Sequence, residues 1–307
     1  MQGERILKRG GAYGALLLTG LLWGSGNVVQ QTVLQHIGPL TAVGLRCLIG
    51  ALVIMPFVRR GSGSYVNLGK PARNLAILTI GSFAVAITLL QISFGLTTVT
   101  NASFLVNTAT VMTPLCCWLF LRRKPAIVVW VAALSTLIGT VLISGSSSIE
   151  FRVGDMLCLL SALSYSIWIV SLGEFVRKYG HSLMISLAQF LVTGFVCTIL
   201  GLALEPLSVT GLIAATPQIV LLGVFSTGLG YLLQAMAQAH TTASEASIIL
   251  SSEAIFGGLG GFLILGERFN NTAVTGSLLI VGGIIIMELP FRKMAKVLRT
   301  QKDLQLQ

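Results

Sequence analysis

Two ionisable residues stand inside long apolar runs, and they are where any chemistry has to start. Glu253 lies in the middle third of the stretch from Ser244 to Arg268, which holds about twenty nearly uncharged residues before Gly266-Glu267-Arg268. A helix crosses a hydrocarbon core about 30 Å thick with roughly 20 residues, so the stretch reads as a membrane span. A carboxylate there is costly in lipid and is expected to face protein or a water-filled cavity. In a cavity it takes up a proton or pairs with a solute amine; the competing reading is a glutamate that only ties two helices together. Arg46 lies six residues into the run Leu40 to Val58, about 9 Å deep. It is suited to draw an anionic group or hold an outer gate, with snorkelling to the interface as the alternative. Their levels differ by roughly 10 Å across a 30 Å core, so the pair is expected to mark opposite ends of one cavity rather than a direct ion pair.

Uncharged polar residues well away from span ends are the other candidates, because a solute entering a low-dielectric interior needs groups that replace its hydration. Trp23, Asn27 and Gln31 are spaced four apart, as on one helix face. Gln91 and Gln234 hold corresponding places in the two halves of the chain, with Gln238 one turn beyond Gln234. Asn107 corresponds in the same way to Ser251, and Tyr165 with Trp168 offers an aromatic wall. For each amide, bonding to a neighbouring helix is the rival reading; for each aromatic, it is packing.

The elements that must position these residues are ten apolar runs: Ala12 to Gln31, Leu40 to Val58, Asn74 to Leu96, Ala102 to Leu121, Ala126 to Ser144, Asp155 to Gly173, Leu183 to Ala203, Gln218 to Ala239, Ala246 to Leu265 and Thr272 to Leu289. The chain has 307 residues, 54% of them hydrophobic and only 10% charged, with a mean hydropathy of +0.88. A soluble domain carries about 25% charged residues, so the expected class is an all-α polytopic membrane protein of ten transmembrane helices. The net charge of +10 does not point to nucleic acid, because the basic residues sit in short clusters between apolar runs. All but Arg46, Arg152 and Arg268 of the twenty fall in segments that are cytoplasmic when both termini are inside. The five cysteines lie within apolar runs at no metal-like spacing, and no cofactor is expected. The N-terminal Arg5, Lys8 and Arg9 precede a run without a small-residue cleavage site, which reads as an uncleaved first span.

The chain repeats itself. At an offset of 144, Ala102 matches Ala246, Ser103 matches Ser247, Leu115 matches Leu259, and Gly139 matches Gly283; Leu89-Leu90-Gln91 matches Leu232-Leu233-Gln234 at 143. Five spans per copy make the second copy enter from the opposite face, an inverted repeat that encloses a site near the bilayer midplane. The expected units are 11–145, 154–290 and a basic cytoplasmic tail, 291–307. Gly20-x-x-x-Gly24 and Gly257-x-x-x-Gly261 provide small faces for helix contact, and Pro114 should bend the fourth span one turn earlier. No enzyme is expected: His36, His181 and His240 sit at span ends or in loops, and there is no metalloprotease or phosphate-loop motif.

Leu22-Trp23-Gly24-Ser25, Arg46, Thr100-Asn101-Ala102-Ser103, Ser244-Glu245-Ala246-Ser247 and Leu265-Gly266-Glu267, in this order and spacing, resemble the EamA-type members of the drug/metabolite transporter superfamily. The resemblance runs from about Gly11 to Leu289. It implies a central cavity lined mainly by spans one to four and six to nine, in the bacterial inner membrane, with export of small metabolites, often amino acids. The chain departs from the family pattern at Arg122-Arg123, where a Gly-Glu pair often follows span four, and Glu253 falls opposite Ala109 in the other half. The expected partners are therefore a small-molecule solute and membrane lipid, with room for a homodimer. Uptake or exchange of a phosphorylated or sugar-nucleotide solute is the second reading, and a scaffold or lipid-modifying protein the third.

Overall fold

The computed structural model describes residues 9–61, 69–97, 99–144, 152–265 and 271–288. Among them every regular element is helical. Helix α1 is Arg9–Val33, α2 Pro39–Gly61, α3 Lys70–Ser93, α4 Val99–Val106, α5 Ala109–Leu121, α6 Ile127–Ser144 and α7 Val153–Tyr179. Then come α8 Ser182–Leu204, α9 Val209–Leu221, a π-helix Leu222–Gly230, α10 Tyr231–Gln238, α11 Ala243–Leu250, α12 Glu253–Leu265 and α13 Asn271–Glu288. Among the described residues, seven helical stretches have the length and apolar character of a membrane span, and Ile127–Ile143 and Asn271–Met287 are shorter apolar helices. The chain is a multi-pass membrane protein. Arg5, Lys8, Arg59 and Arg60, the linker 145–150, Gly261, Gly266-Glu267-Arg268 and the basic tail were singled out in the sequence but lie outside the described residues or side chains.

Each predicted run coincides with helix, although two ends move by more than a turn and a half. The eighth begins at Val209 rather than Gln218, because Ser208 Oγ accepts from Gly211 N at 2.9 Å and starts the helix upstream of Pro217. The sixth continues to Tyr179, carrying Arg177 and Lys178 on its last turn, where cations suit the negative end of the helix dipole. A left-handed pair, Gly180 (φ 69°) and His181 (φ 59°), then reverses the chain into α8. Glycine takes that conformation without strain.

Helix contact is set by small residues. Along α2 and α8, Thr41 meets Gly201, Gly44 meets Thr198 and Leu48 meets Gly194, so the two helices run antiparallel. Along α6 and α13, Gly139 meets Gly276 and Ala132 meets Gly283, again antiparallel. Helix α3 packs on α7 with Cys158 Sγ against Ser93 Oγ (3.1 Å) and Ser161 Oγ donating to Ala86 O (2.8 Å). The core between α3, α7, α8 and α10 is aromatic: the Tyr231 ring lies 4.6 Å from Trp23, 4.9 Å from Phe83 and 5.4 Å from Trp168. Each such pair adds about 0.5–1.5 kcal/mol beyond burial.

The helix pairs α4/α5 and α11/α12 are single runs broken in the middle. The first breaks at Asn107-Thr108 and the second at Ser251-Ser252, positions equivalent under the 144 offset. Both breaks carry the same tightened bonds: Asn107 N to Phe104 O and Thr108 N to Leu105 O, matched by Ser251 N to Ile248 O and Ser252 N to Ile249 O. Pro114 sits inside α5, beyond the break, and the second break has no proline, so proline is not what the two breaks share. Local side-chain bonds are the shared feature: Thr108 Oγ1 donates to Leu105 O and Ser251 Oγ to Ile248 O, each at 2.6 Å.

Candidate functional site: a polar and aromatic cavity between the halves

A cavity opens beside the two helix breaks. Of the ten residues proposed from sequence, Trp23, Asn27, Arg46, Asn107, Tyr165, Ser251 and Glu253 line it, together with Trp168. Gln91, Gln234 and Gln238 are buried but are not among its lining. Gln91 Nε2 donates to Gln30 O (3.1 Å), Gln234 Nε2 to Gln238 Oε1 (3.2 Å), and Gln238 Nε2 to Ile169 O (2.8 Å). Gln91 and Gln238 thus tie neighbouring helices, as the rival reading has it, and Gln234 bonds within α10.

Glu253 is carried into the cavity by a close crossing. A Cβ on Gly24 would lie 2.7 Å from Gly257 N and 3.0 Å from Phe256 Cβ, and one on Gly20 would lie 3.2 Å from Glu253 N. Only glycines allow α1 to approach α12 this closely. The crossing sets Asn27 beside the carboxylate, and Asn27 Nδ2 donates to Glu253 Oε1 at 2.7 Å. Being the first residue of α12 also places this acid at the positive end of a helix dipole.

Arg46 is positioned by an equally close contact on the other side. A Cβ on Gly223 in the π-helix would lie 2.6 Å from Ile49 Cβ and 3.1 Å from Arg46 O, which fixes α2 against that segment. Arg46 is 2% exposed, so it does not snorkel to the interface. Nη1 donates to Gln30 Oε1 at 2.7 Å, while Nε is buried without a hydrogen-bond partner. Gln30 Nε2 in turn donates to Asn27 Oδ1 at 3.0 Å. The expected opposite ends are thus bridged by two amides, with no direct ion pair between Arg46 and Glu253 among the described residues.

Sequence reasoning missed Gln30, Tyr231 and Ser226, all of which line the cavity. At about 100° per residue, Gln30 stands roughly 20° from the direction of Trp23, whereas Gln31 stands roughly 80° away. Gln31 is exposed, so a strict 3.6-residue period would have found the correct amide. Tyr231 closes the aromatic wall through its hydroxyl, 2.8 Å from Tyr165 Oη. Ser226 contributes its backbone: Trp23 Nε1 donates to Ser226 O at 3.1 Å, a carbonyl within the π-helix.

The two ends of the bundle differ in charge. At one end Arg9 Nη2 donates to Glu245 Oε1 (2.5 Å), Ser244 Oγ lies 3.9 Å from Cys117 Sγ, and Glu174 gathers Arg123, Arg177 and Lys178. At the other, Glu205 accepts from Leu40 N and Thr41 N (2.7 and 2.9 Å), and Asp155 accepts from Thr97 Oγ1 (2.5 Å).

Comparison with known proteins agrees with this architecture. An uncharacterized transporter of Archaeoglobus fulgidus is 27% identical over 300 residues, covering 92% of this chain and 90% of its own. The uncharacterized transporter YdfC of Bacillus subtilis is also 27% identical, covering 91% of each chain. The uncharacterized inner membrane transporter YicL of Salmonella typhimurium is 26% identical, over 92% of this chain and 96% of its own. A solved crystal structure superposes with a TM-score of 0.78 at 16% identity, covering 94% of this chain and 99% of that one, a likeness of fold. The model of the EamA-like transporter family matches twice, at residues 11–145 and 152–289. With the match spanning both halves of the bundle and the cavity between them, the chain belongs to the EamA-like transporter family.

Proposed function

We propose that the protein is a gradient-driven secondary transporter, an exporter of a small zwitterionic metabolite such as an amino acid, working through ten membrane crossings arranged as two inverted five-helix copies. The observation that carries this reading is that one cavity holds both Arg46, with a buried Nε left unpartnered, and Glu253, beside an aromatic wall. A solute carboxylate takes Arg46, its amine takes Glu253, and its apolar body rests on Trp23, Trp168 and Tyr165. Among the described residues, Arg46 is the single cation lining the cavity, which weighs against a phosphorylated solute. The inverted arrangement is supported by the antiparallel run of α2 against α8 and of α6 against α13, each pair equivalent in the two copies. The gathering of Arg9, Arg123, Arg177 and Lys178 at one end supports a cytoplasmic position for that end, and with it for both termini, in the inner membrane of a bacterium. Export is the direction to which the family likeness points.

The test is uptake of radiolabelled amino acids into proteoliposomes, with and without an imposed pH gradient. Arg46→Gln and Glu253→Gln should each reduce the initial rate by about tenfold or more, as loss of a charged partner worth 1.5–3 kcal/mol requires. Full activity in both variants would overturn the reading.

A further inference from the structure

The hydrogen bonds between the two charges all point the same way. Arg46 Nη1 donates to Gln30 Oε1, Gln30 Nε2 to Asn27 Oδ1, and Asn27 Nδ2 to Glu253 Oε1, at 2.7, 3.0 and 2.7 Å. A primary amide has an acceptor end and a donor end, and rotation by 180° exchanges them. The order seen here presents a donor to Glu253 and an acceptor to Arg46, which matches an ionised acid and a cation with no ligand. With both amides turned over, Asn27 Oδ1 faces Glu253, Asn27 Nδ2 donates to Gln30 Oε1, and Gln30 Nε2 faces Arg46. That second order fits only when Glu253 carries a proton to donate and an anionic oxygen sits at Arg46 to accept from both Gln30 and the guanidinium.

We propose that Asn27 and Gln30 are positioning residues forming a two-state amide relay, which converts the arrival of an anionic group at Arg46 into the uptake of a proton by Glu253. The proposal rests on the reading of this cavity as the solute site, and adds that a solute with a carboxylate but no amine enters it together with a proton. The step balances in charge: one anion enters, one proton from water joins the Glu253 carboxylate, and the cavity keeps the net charge it had. The charged or titratable groups facing the relay are few. Arg46 comes from α2, Tyr165 from α7 and Tyr231 from α10. Of the helices packed on α12, α6 brings none, Arg9 and Tyr13 of α1 are engaged with Glu245 of α11, and Glu288 closes the far end of α13. By reciprocity of linkage, a solute that drives this step binds more tightly as pH falls through the titration of Glu253. A zwitterion whose ammonium pairs with ionised Glu253 needs no proton and has the opposite dependence.

The experiment uses the full-length protein in lipid nanodiscs with two probes, 3-phenylpropionate and L-phenylalanine, which differ only by the amine. Calorimetric affinities across pH should give the phenylpropionate curve a limiting slope of about one proton per probe bound. Phenylalanine should show no proton uptake. Gln30→Met and Asn27→Leu cut the relay at different links, and each should leave weaker binding with the slope reduced by at least half. Infrared difference spectra of the wild type supply a readout independent of whether either variant folds. Phenylpropionate should raise the C=O stretch of a protonated carboxyl group, and that band should be missing in Glu253→Gln. A wild-type slope in Gln30→Met or Asn27→Leu, or no carboxyl band where the probe is bound, overturns the relay while leaving the solute site standing. If neither probe binds the wild type, the reading of the cavity falls and the relay falls with it.

Discussion

Asn27 and Gln238 are both buried amides in apolar helices, and their partners separate their roles. Asn27 bonds two other side chains of the cavity, whereas Gln238 Nε2 closes on Ile169 O and its Oε1 accepts from Gln234. Replacing Gln238 by Leu removes the bond that ties α10 to α7, and should lower thermal stability by about 0.5–1.5 kcal/mol while leaving solute affinity within about twofold. Thermal unfolding and ligand binding measured on the same purified variant check both halves of that statement. An affinity loss as large as that of Arg46→Gln would put Gln238 back in the site. At this scale the sequence shows which residues are too polar for lipid, because that depends on residue type and depth alone. It does not show which neighbour each amide finds. Gln91, Gln234 and Gln238 were as good candidates as Asn27 until the helices were packed. Tyr231 gave no signal, since an aromatic residue in a span is ordinary until Trp23, Phe83 and Trp168 are seen around it.

Among the elements, the glycine faces were legible and the helix breaks were not. Gly20-x-x-x-Gly24 announced a close crossing, and the structure makes it the contact that delivers Glu253 to Asn27. Gly24→Ala should force α1 from α12, cost about 2 kcal/mol or more, and weaken solute binding. Gly14, on the same helix with nothing within 4 Å of an added Cβ, provides the control. Gly14→Ala should be neutral or stabilising by up to about 1 kcal/mol through helix propensity. Equal melting temperatures for the two variants would show that the α1–α12 crossing does not need glycine. The breaks at 107–108 and 251–252 escaped because proline was the visible breaker, while the operative bonds run from Thr108 and Ser251 to carbonyls three residues back. The π-helix escaped for a similar reason. The corresponding stretch of α3 is regular helix, so the widened turn follows from packing of Gly223 and Gly228 on α2 rather than from the repeat.

At the scale of the whole molecule, the 144-residue offset read from a handful of identities reappears as matching backbone geometry in two broken helices. Weak sequence identity preserved this because the fold constrains where small and polar residues stand, and little else in a lipid-facing helix. The proposed opposite entry of the two copies has a direct consequence for labelling. In a background without the native cysteines, His36→Cys before α2 and Leu207→Cys after α8 lie at the end capped by Glu205, and should react with an impermeant maleimide from outside intact cells. Lys124→Cys after α5 and His181→Cys between α7 and α8 lie at the end where Glu174 gathers its cations, and should react only after permeabilisation. Each pair takes one position from each copy. Were the copies parallel, the two members of a pair would label from opposite sides, because the end of α8 would then match the end of α2 at residue 61 rather than its start. Agreement within both pairs is therefore the outcome that inversion requires, and a split in either pair rejects it.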